Sequence, residues 1–147
     1  MKTLMNKTRL LLSVVFVSML VVSGCARMER HGDEHRVVLQ GSQEVPSVST
    51  TASGTGVITI RPDRSVSGSV TTSGINATAA HIHEGATGTI GPVIVPLAKT
   101  SENVWSVPAG ATLTETQYAS HGAGKLYVNV HSAAHPSGEI RGQIGGH

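Results

Sequence analysis

The sequence is poor in cysteine, in aromatic residues and in charge. Its 147 residues include one cysteine, one tryptophan, two tyrosines and one phenylalanine, and Asp, Glu, Lys and Arg together make up 14%. A single cysteine excludes an internal disulfide, so the fold cannot depend on one. Because large rings are so few, the core must be built from Val, Ile, Leu and Ala, and the β-branched members of this set favour strands.

The sequence also lacks a cluster of basic residues. Three of the eleven Lys and Arg residues lie in the first 24 positions, whereas all nine Asp and Glu residues lie beyond them, so the chain after residue 24 has a net charge near −1. Binding to nucleic acid therefore has no electrostatic support, and we expect no such partner. There is no Gly-x-Ser-x-Gly motif and no pair of carboxylates suited to glycoside chemistry, so neither nucleophilic nor glycoside hydrolysis is expected. A non-catalytic protein is favoured over an enzyme.

The first 24 residues have the layout of a secretory signal. Lys2, Lys7 and Arg9 form a positive head, and residues 10–22 carry no charge. The uncharged stretch is shorter than the roughly 20 residues that a membrane-spanning helix needs. We therefore predict a signal peptide over residues 1–24 that is removed.

The end of this segment indicates how the chain is anchored. Residues 22–25, Val-Ser-Gly-Cys, resemble the lipobox of bacterial lipoproteins, which implies a lipid on Cys25 and a chain that faces the periplasm. The residue after Cys25 is Ala26 and not the Asp that is associated with retention in the inner membrane, so we expect the lipid anchor to lie in the outer membrane. Residues 25–35 are polar and lack periodicity, which predicts a flexible tether before a domain over residues 36–147.

From residue 36 onward the pattern predicts an all-β domain. Short alternating or β-branched runs recur between clusters of Gly, Pro, Ser and Asn, as in a Greek-key antiparallel sandwich or flattened barrel of about eight strands. Strands are predicted over residues 36–40, 54–60, 65–72, 79–83, 92–97, 104–107, 124–131 and 139–144. A turn over residues 61–64 joins two of them. One short helix is predicted over residues 113–121, where Thr112 and Glu115 have capping-box spacing.

Histidine is abundant, and three of the eight histidines share a phase. In the strand over residues 79–83, His81 and His83 alternate with apolar residues, so burial of the apolar set places both imidazoles on the other face. The same alternation over residues 126–131 directs His131 away from the core. The three imidazoles meet if these two strands are neighbours.

Such a cluster predicts a metal site. Histidines two apart on one strand have Cα atoms about 6–7 Å apart, close enough to bind one ion. Imidazole ligands suit copper or zinc, and copper(II) has the higher affinity, so we expect copper, with zinc as the alternative. His135 is a candidate fourth ligand. Metal-bound imidazoles usually donate their other N–H to an acceptor, and Glu84, Asn129 and Glu139 are candidates for that role.

The remaining histidines have a simpler interpretation. His31 and His35 lie in the predicted tether and His147 ends the chain, so we expect solvated side chains, with flexible capture of a metal as the alternative. His121 ends the predicted helix, where an imidazole complements the negative end of the helix dipole. Arg141 is expected to have a structural role.

Several separated blocks resemble a CHRD domain. They read Val-Leu-Gln-Gly-Ser-Gln-Glu-Val-Pro over residues 38–46, Ala-His-Ile-His-Glu-Gly over residues 80–85, Leu-Tyr-Val-Asn-Val-His-Ser over residues 126–132 and Pro-Ser-Gly-Glu-Ile-Arg-Gly-Gln-Ile over residues 136–144. The resemblance spans nearly all of residues 36–144. CHRD domains are named for repeats in chordin, an extracellular binder of growth factors, and also occur in exported bacterial proteins. The resemblance implies an exported β domain.

The His-Ile-His-Glu segment and the later Val-His pair are also similar to the copper-ligand strands of copper/zinc superoxide dismutase, a Greek-key β-barrel with copper outside the barrel wall. This similarity implies copper ligation by His81, His83 and His131. The dismutase's bridging histidine, zinc loop, disulfide and active-site arginine have no equivalent in the sequence. Our leading hypothesis is therefore a lipid-anchored, non-catalytic copper-binding domain in copper handling or tolerance. The alternatives are a protein- or matrix-binding module without metal and a copper redox enzyme.

Overall fold

The structure, a computed structural model, describes residues 31–146. These residues contain nine antiparallel strands and one α-helix. The strands form one nearly closed barrel, so the all-β prediction is confirmed. The predicted signal peptide, Cys25, the first part of the predicted tether and His147 lie outside the described residues. No helix between residues 31 and 146 is long and apolar enough to cross a membrane.

The order of the strands explains how the barrel closes. In chain order the elements are β1 (Asp33–Gln40), a 3-10 turn (Gly41–Gln43), β2 (Ser53–Ile60), β3 (Val66–Ser73), β4 (Ala77–Glu84), β5 (Val93–Pro96), β6 (Ala98–Ser101), β7 (Val104–Ser106), α1 (Glu115–Gly122), β8 (Leu126–Ser132) and β9 (Ile140–Ile144). The sheet runs β5-β4-β8-β9-β1-β2-β3-β7-β6. Its two edges, β5 and β6, are separated only by Leu97, so the sheet must curl until they approach each other.

The connections combine hairpins with longer crossovers. β1, β2 and β3 are consecutive neighbours, whereas β8 and β9 insert between β4 and β1. The predicted turn between β2 and β3 is present: the Arg64 N–H donates to the Arg61 carbonyl at 2.7 Å. The Asp63 carboxylate accepts from the Ser65 N–H at 2.9 Å, which is the local acceptor role that favours Asp in turns. The insertion makes β4 and β8 direct neighbours, and this decides where the histidines lie.

The core is aliphatic, as the scarcity of rings predicts. Its largest fully buried aliphatic side chains are Leu39, Ile58, Ile60, Ile82, Leu126, Ile140, Ile144, Val37, Val70, Val128 and Val130. Trp105 is the aromatic residue that joins this cluster within residues 31–146. Full burial of each aliphatic side chain contributes about 1.5–3 kcal/mol relative to exposure. The inner faces of β4 and β8 are thereby fixed, which turns their histidines outward.

The helix begins later than predicted. Thr114 caps α1: its hydroxyl accepts from the Gln117 N–H at 3.2 Å, and the Gln117 side chain accepts from the Thr114 N–H at 2.8 Å. The predicted pairing of Thr112 with Glu115 is wrong because Thr112 remains extended in a β-bridge with Ser65. The capping box therefore forms two residues further along the chain.

Two strand predictions were incomplete. β6 was not predicted, because all four of its residues are exposed and its sequence, Ala-Lys-Thr-Ser, has no apolar alternation. β1 begins at Asp33, not at residue 36, since Asp33, Glu34 and His35 pair with the last residues of β2. Residues 33–35, the last three of the predicted tether over residues 25–35, therefore belong to β1, because β2 is long enough to pair with them.

Candidate metal centre

The three predicted histidines come together on the outer surface of the barrel. β4 and β8 pair in a register that sets Ala79 opposite His131 and His81 opposite Asn129. His81 Nδ1 lies 3.0 Å from His131 Nε2. One ligand atom from each of His81, His83 and His131 lies within 4.8 Å of the others. The alternation argument therefore placed these side chains correctly, and the pairing of two distant strands completes the group, which we call the outer histidine cluster.

The three rings approach one another without stacking. The ring centroid of His81 lies 5.7 Å from that of His83 and 4.9 Å from that of His131, with interplanar angles of 73° and 62°. The His83 and His131 centroids are 6.2 Å apart. His83 is 9% exposed, and the other two are partly exposed. Two of the three ring pairs are therefore T-shaped and the third is tilted, and one ligand atom of each ring still lies within 4.8 Å of the others.

Backbone carbonyls determine which nitrogens are available. His83 Nδ1 contacts the Gly91 carbonyl and His131 Nδ1 contacts the Pro136 carbonyl, each at 2.9 Å. Because a carbonyl only accepts, both Nδ1 atoms carry the proton, which leaves the lone pair of each ring on Nε2. The Nε2 of His131 accepts a hydrogen bond from His81 Nδ1. The Nε2 of His83 is buried and makes no hydrogen bond. The candidate donor set is Nε2 of His83, Nε2 of His131 and Nδ1 of His81. His81 Nδ1 donates to His131 Nε2 in the absence of an ion, so its proton must move to the other ring nitrogen before it can ligate.

Two of the predicted acceptors bond elsewhere. Glu84 lies on the inner face of β4, where its carboxylate accepts from the Ser120 hydroxyl at 2.6 Å. Glu139 accepts from the Ser132 and Thr50 hydroxyls. Although burial raises the pKa of Glu139, these two hydroxyls together lower it below its ordinary value. His83 and His131 are oriented by main-chain oxygens instead, and a search of the sequence for acidic residues could not have indicated these acceptors.

The third predicted acceptor, Asn129, lies beside the cluster in a buried polar pair. Its side-chain amide donates to the Glu44 carboxylate at 2.6 Å, and the two side chains are 3% and 9% exposed. Burial raises the pKa of Glu44 to about 7, against the lowering effect of Arg141. A Cβ at Gly138 would lie 2.4 Å from Asn129 Nδ2, so this pair requires glycine there. Glu44 was not predicted, because it directly follows the 3-10 turn, where no strand alternation indicates the direction of a side chain.

His135 does not join the group of three. It lies in the loop between β8 and β9, where its N–H donates to the Ser132 hydroxyl at 3.2 Å and its carbonyl accepts from the Gly138 N–H at 3.1 Å. Among residues 31–146, the candidate metal-binding group at this surface contains His81, His83 and His131 and no fourth residue. His135 thus shapes the loop that presents the Pro136 carbonyl.

Tyr127 supports the cluster, although the sequence reasoning did not select it. Its ring stacks on His83, with centroids 4.8 Å apart and an interplanar angle of 10°. Its hydroxyl accepts from the Gly91 N–H at 3.1 Å. Since the Gly91 carbonyl accepts from His83, one tyrosine holds both the ring and the acceptor of that ring. Its position directly opposite His83 on β8 is a register effect that only the paired strands reveal.

Arg141 fastens the loop that carries Gly91. Its guanidinium donates to the Thr89 carbonyl at 2.7 Å and to the Ala86 carbonyl at 3.0 Å, and its central carbon lies 3.5 Å from the centroid of the Tyr127 ring. The side chain is only 2% exposed. These contacts fit the structural role expected for this arginine, and they connect β9 to the loop over residues 85–92 beside His83.

The environment of His81 and His83 favours their neutral forms. Burial lowers the pKa of His81, and the neighbouring His131 and His83 lower it further. Burial lowers the pKa of His83 and outweighs the opposing contact with Gly91, while His131 and Arg141 add to the lowering. Neutral imidazole is the form that ligates metal. The lowered pKa values of His81 and His83 therefore favour the form of these two side chains that can ligate a metal.

The histidines expected to be solvated divide into two kinds. His31 is exposed, as predicted. His35, however, belongs to β1, and its Nε2 lies 2.7 Å from Nε2 of His121, which is fully buried. The prediction of a mobile His35 is therefore wrong, since β1 reaches the end of the barrel that α1 covers.

The structure is that of a small all-β domain with a cluster of three imidazoles on the outer face of its sheet. The family model for the CHRD domain matches residues 36–144, and the chain belongs to the CHRD domain family. Comparison with curated proteins and with solved structures gave no significant match.

Proposed function

We propose that this protein is a lipid-anchored CHRD domain of the cell envelope that binds copper through His81, His83 and His131 and serves in copper handling or tolerance. The observation that carries the proposal is the convergence of three imidazole nitrogens within 4.8 Å of one another. Two of the rings are already held in the tautomer that exposes Nε2.

The donor set favours copper over other ions. Three neutral nitrogen ligands with no carboxylate match the preference of copper and zinc, and copper(II) has the highest affinity in the divalent series. The 3.0 Å separation between His81 Nδ1 and His131 Nε2 lies between the values of about 2.8 and 3.3 Å expected for bonds of about 2.0 Å at right and tetrahedral angles. A small shift of either ring therefore accommodates one ion.

A titration of the purified protein with Cu(II), and with Cu(I) under reducing conditions, tests the proposal. We expect one ion per outer cluster, and a loss of affinity in His81→Gln and His131→Gln that exceeds the roughly 10–100-fold typical of outer-shell substitutions. His135→Gln is the matched control, since it removes an imidazole from the adjoining loop and leaves the cluster intact. Unchanged affinity in both cluster variants would reject the site.

The cellular role and the anchor need separate experiments. A strain in which the wild-type gene is replaced by the His81→Gln/His131→Gln variant, at matched protein level, should grow less well in elevated copper. Cys25→Ala should abolish incorporation of a labelled fatty acid and release the protein from the membrane fraction. Normal copper tolerance in the first strain would remove the tolerance role, and a membrane-bound, unlabelled Cys25→Ala protein would remove the lipid anchor.

A further inference from the structure

A second group of metal-binding side chains lies at the end of the barrel covered by α1. Asp33 and His35 belong to the start of β1, and His121 belongs to the last turn of α1. One ligand atom from each of the three lies within 4.8 Å of the others. We call this group the inner cluster. It shares no residue with the outer histidine cluster.

The alternation of β1 directs this group inward. Asp33 and His35 lie in the same phase as Val37 and Leu39, both fully buried, so they face the barrel interior. His121 is fully buried at the opposite side of the group. The chain after β9 also approaches, because a Cβ at Gly145 would lie 3.5 Å from His35 Nδ1. Three distant segments therefore enclose the two imidazoles.

The geometry of the two rings suits a shared ion. Nε2 of His35 and Nε2 of His121 face each other at 2.7 Å, and the ring centroids are 4.7 Å apart. Zinc–nitrogen bonds of about 2.0–2.1 Å at a tetrahedral angle need about 3.3 Å between the nitrogens. The rings must therefore separate by about 0.6 Å, which side-chain rotation can supply.

The donor chemistry differs from that of the outer cluster. Here one carboxylate joins two imidazoles, and Asp oxygen with His nitrogen is a usual ligand combination for zinc. The carboxylate offsets half of the charge of a divalent ion in a site with little solvent, which an all-imidazole set does not do. We infer that Asp33, His35 and His121 bind a zinc ion that joins the first strand to α1.

The test uses the His81→Gln/His131→Gln variant as background, so that only the inner cluster binds metal. Dialysis against Zn(II), followed by measurement of metal per chain, should find one zinc ion, and saturating zinc should raise the Tm by at least about 5 °C. In this background Asp33→Asn and His35→Gln should each weaken zinc binding at least tenfold.

Two matched controls keep the comparison specific. Glu34→Gln makes the same charge change as Asp33→Asn on the opposite face of β1, and His31→Gln removes an exposed imidazole from the same segment. Both controls should bind zinc like the background. Equal binding by all four variants would overturn the inference, as would a folded background protein that takes up no zinc, in which case a hydrogen bond between two neutral rings explains the contact.

A spectroscopic measurement on the background protein tests the inference even if the Asp33 and His35 variants fail to fold. Co(II) added to the background protein, whose inner cluster is unaltered, should give the intense visible bands of a four-coordinate site, and zinc should displace it. Weak bands of hydrated or six-coordinate cobalt would overturn the inference. Because the outer cluster is already removed, this result does not depend on whether that cluster binds copper.

Discussion

Nδ1 of His81 on β4 lies 3.0 Å from Nε2 of His131 on β8, although fifty positions separate the two residues in the chain. β4 and β8 are neighbours because β8 and β9 insert between β4 and β1. The contact joins the two histidine motifs of the sequence into one site.

The affinity for copper should persist into mildly acidic solution. Burial and neighbouring charge lower the pKa values of His81 and His83 below 6.5, so the neutral, ligating form persists to lower pH than in a free imidazole. Below these lowered pKa values protons compete with the ion and affinity falls. Histidine titration by NMR in the metal-free protein measures the titration midpoints of His81 and His83. Copper affinity, measured at pH 7.5, 6.5 and 5.5, should fall only as the pH approaches these midpoints. Midpoints of both residues at or above 6.5 would contradict the prediction.

Arg141→Lys should loosen the loop that carries Gly91. A lysine cannot reproduce the planar fork that donates to the Ala86 and Thr89 carbonyls, so we expect the free energy of unfolding to fall by roughly 1–3 kcal/mol. Urea denaturation measures this loss. Arg36→Lys is the control, because Arg36 is an exposed arginine on a strand of the same sheet. An equal, small effect of both substitutions would mean that the fork does not hold the loop.

Gly91→Ala should weaken copper binding, although Gly91 is not a ligand. A Cβ at this position would lie 1.6 Å from the Glu84 carbonyl oxygen, so the main chain must move and the acceptor of His83 moves with it. We expect a loss of about 1–3 kcal/mol in stability and a 10–100-fold loss of copper affinity.

Gly88→Ala separates this displacement from general loop strain. Gly88 has a positive φ of 77°, but a Cβ there meets no atom within 4 Å. Its substitution should therefore cost stability with little change in copper affinity. If the two variants lose copper affinity equally, the position of the Gly91 carbonyl is not what matters.

Glu44→Gln should remove a pH-dependent loss of stability. The pKa of Glu44 is about 7 in the folded protein and about 4.5 in the unfolded chain. Its contribution is therefore fully present below pH 4.5 and is lost as pH rises toward 7, because the folded protein must then ionise a buried carboxyl. Glutamine keeps the acceptor for Asn129 without the charge. Relative to wild type, the variant should gain roughly 2 kcal/mol between pH 4.5 and 7.5.

The comparison with wild type isolates Glu44 from the histidines. The lowered pKa values of His81 and His83 act in the opposite direction over the same pH range, but they are shared by both proteins. Glu102→Gln, at an exposed position, should leave the pH profile unchanged. A constant difference between wild type and Glu44→Gln across this range would show that Glu44 titrates normally.

Much of the domain could be predicted from local patterns. Period-two alternation located the strands around His81 and His131 and the face that each histidine occupies, because side chains on a strand must alternate. The scarcity of rings indicated an aliphatic core. Those patterns fail where no alternation exists, as in the exposed β6, or where a partner strand extends a polar segment, as at Asp33 and His35.

The support of the site could not be predicted in the same way. The acceptors of His83 and His131 are the carbonyls of Gly91 and Pro136, and every residue has a carbonyl, so no residue type marks the role. The stack of Tyr127 on His83 depends on the register between β4 and β8. Register and loop path are properties of the closed barrel, which local sequence does not encode.

By itself the sequence determined the β-rich class, the composition of the core and the outward phase of three histidines, since these depend on residue type and on a period of two. The tertiary structure decided which strands lie side by side, and therefore that His81 meets His131 and that His35 meets His121. The physical reason is that alternation fixes only the side of a strand on which a residue lies, whereas a site needs groups from separate strands at a common point.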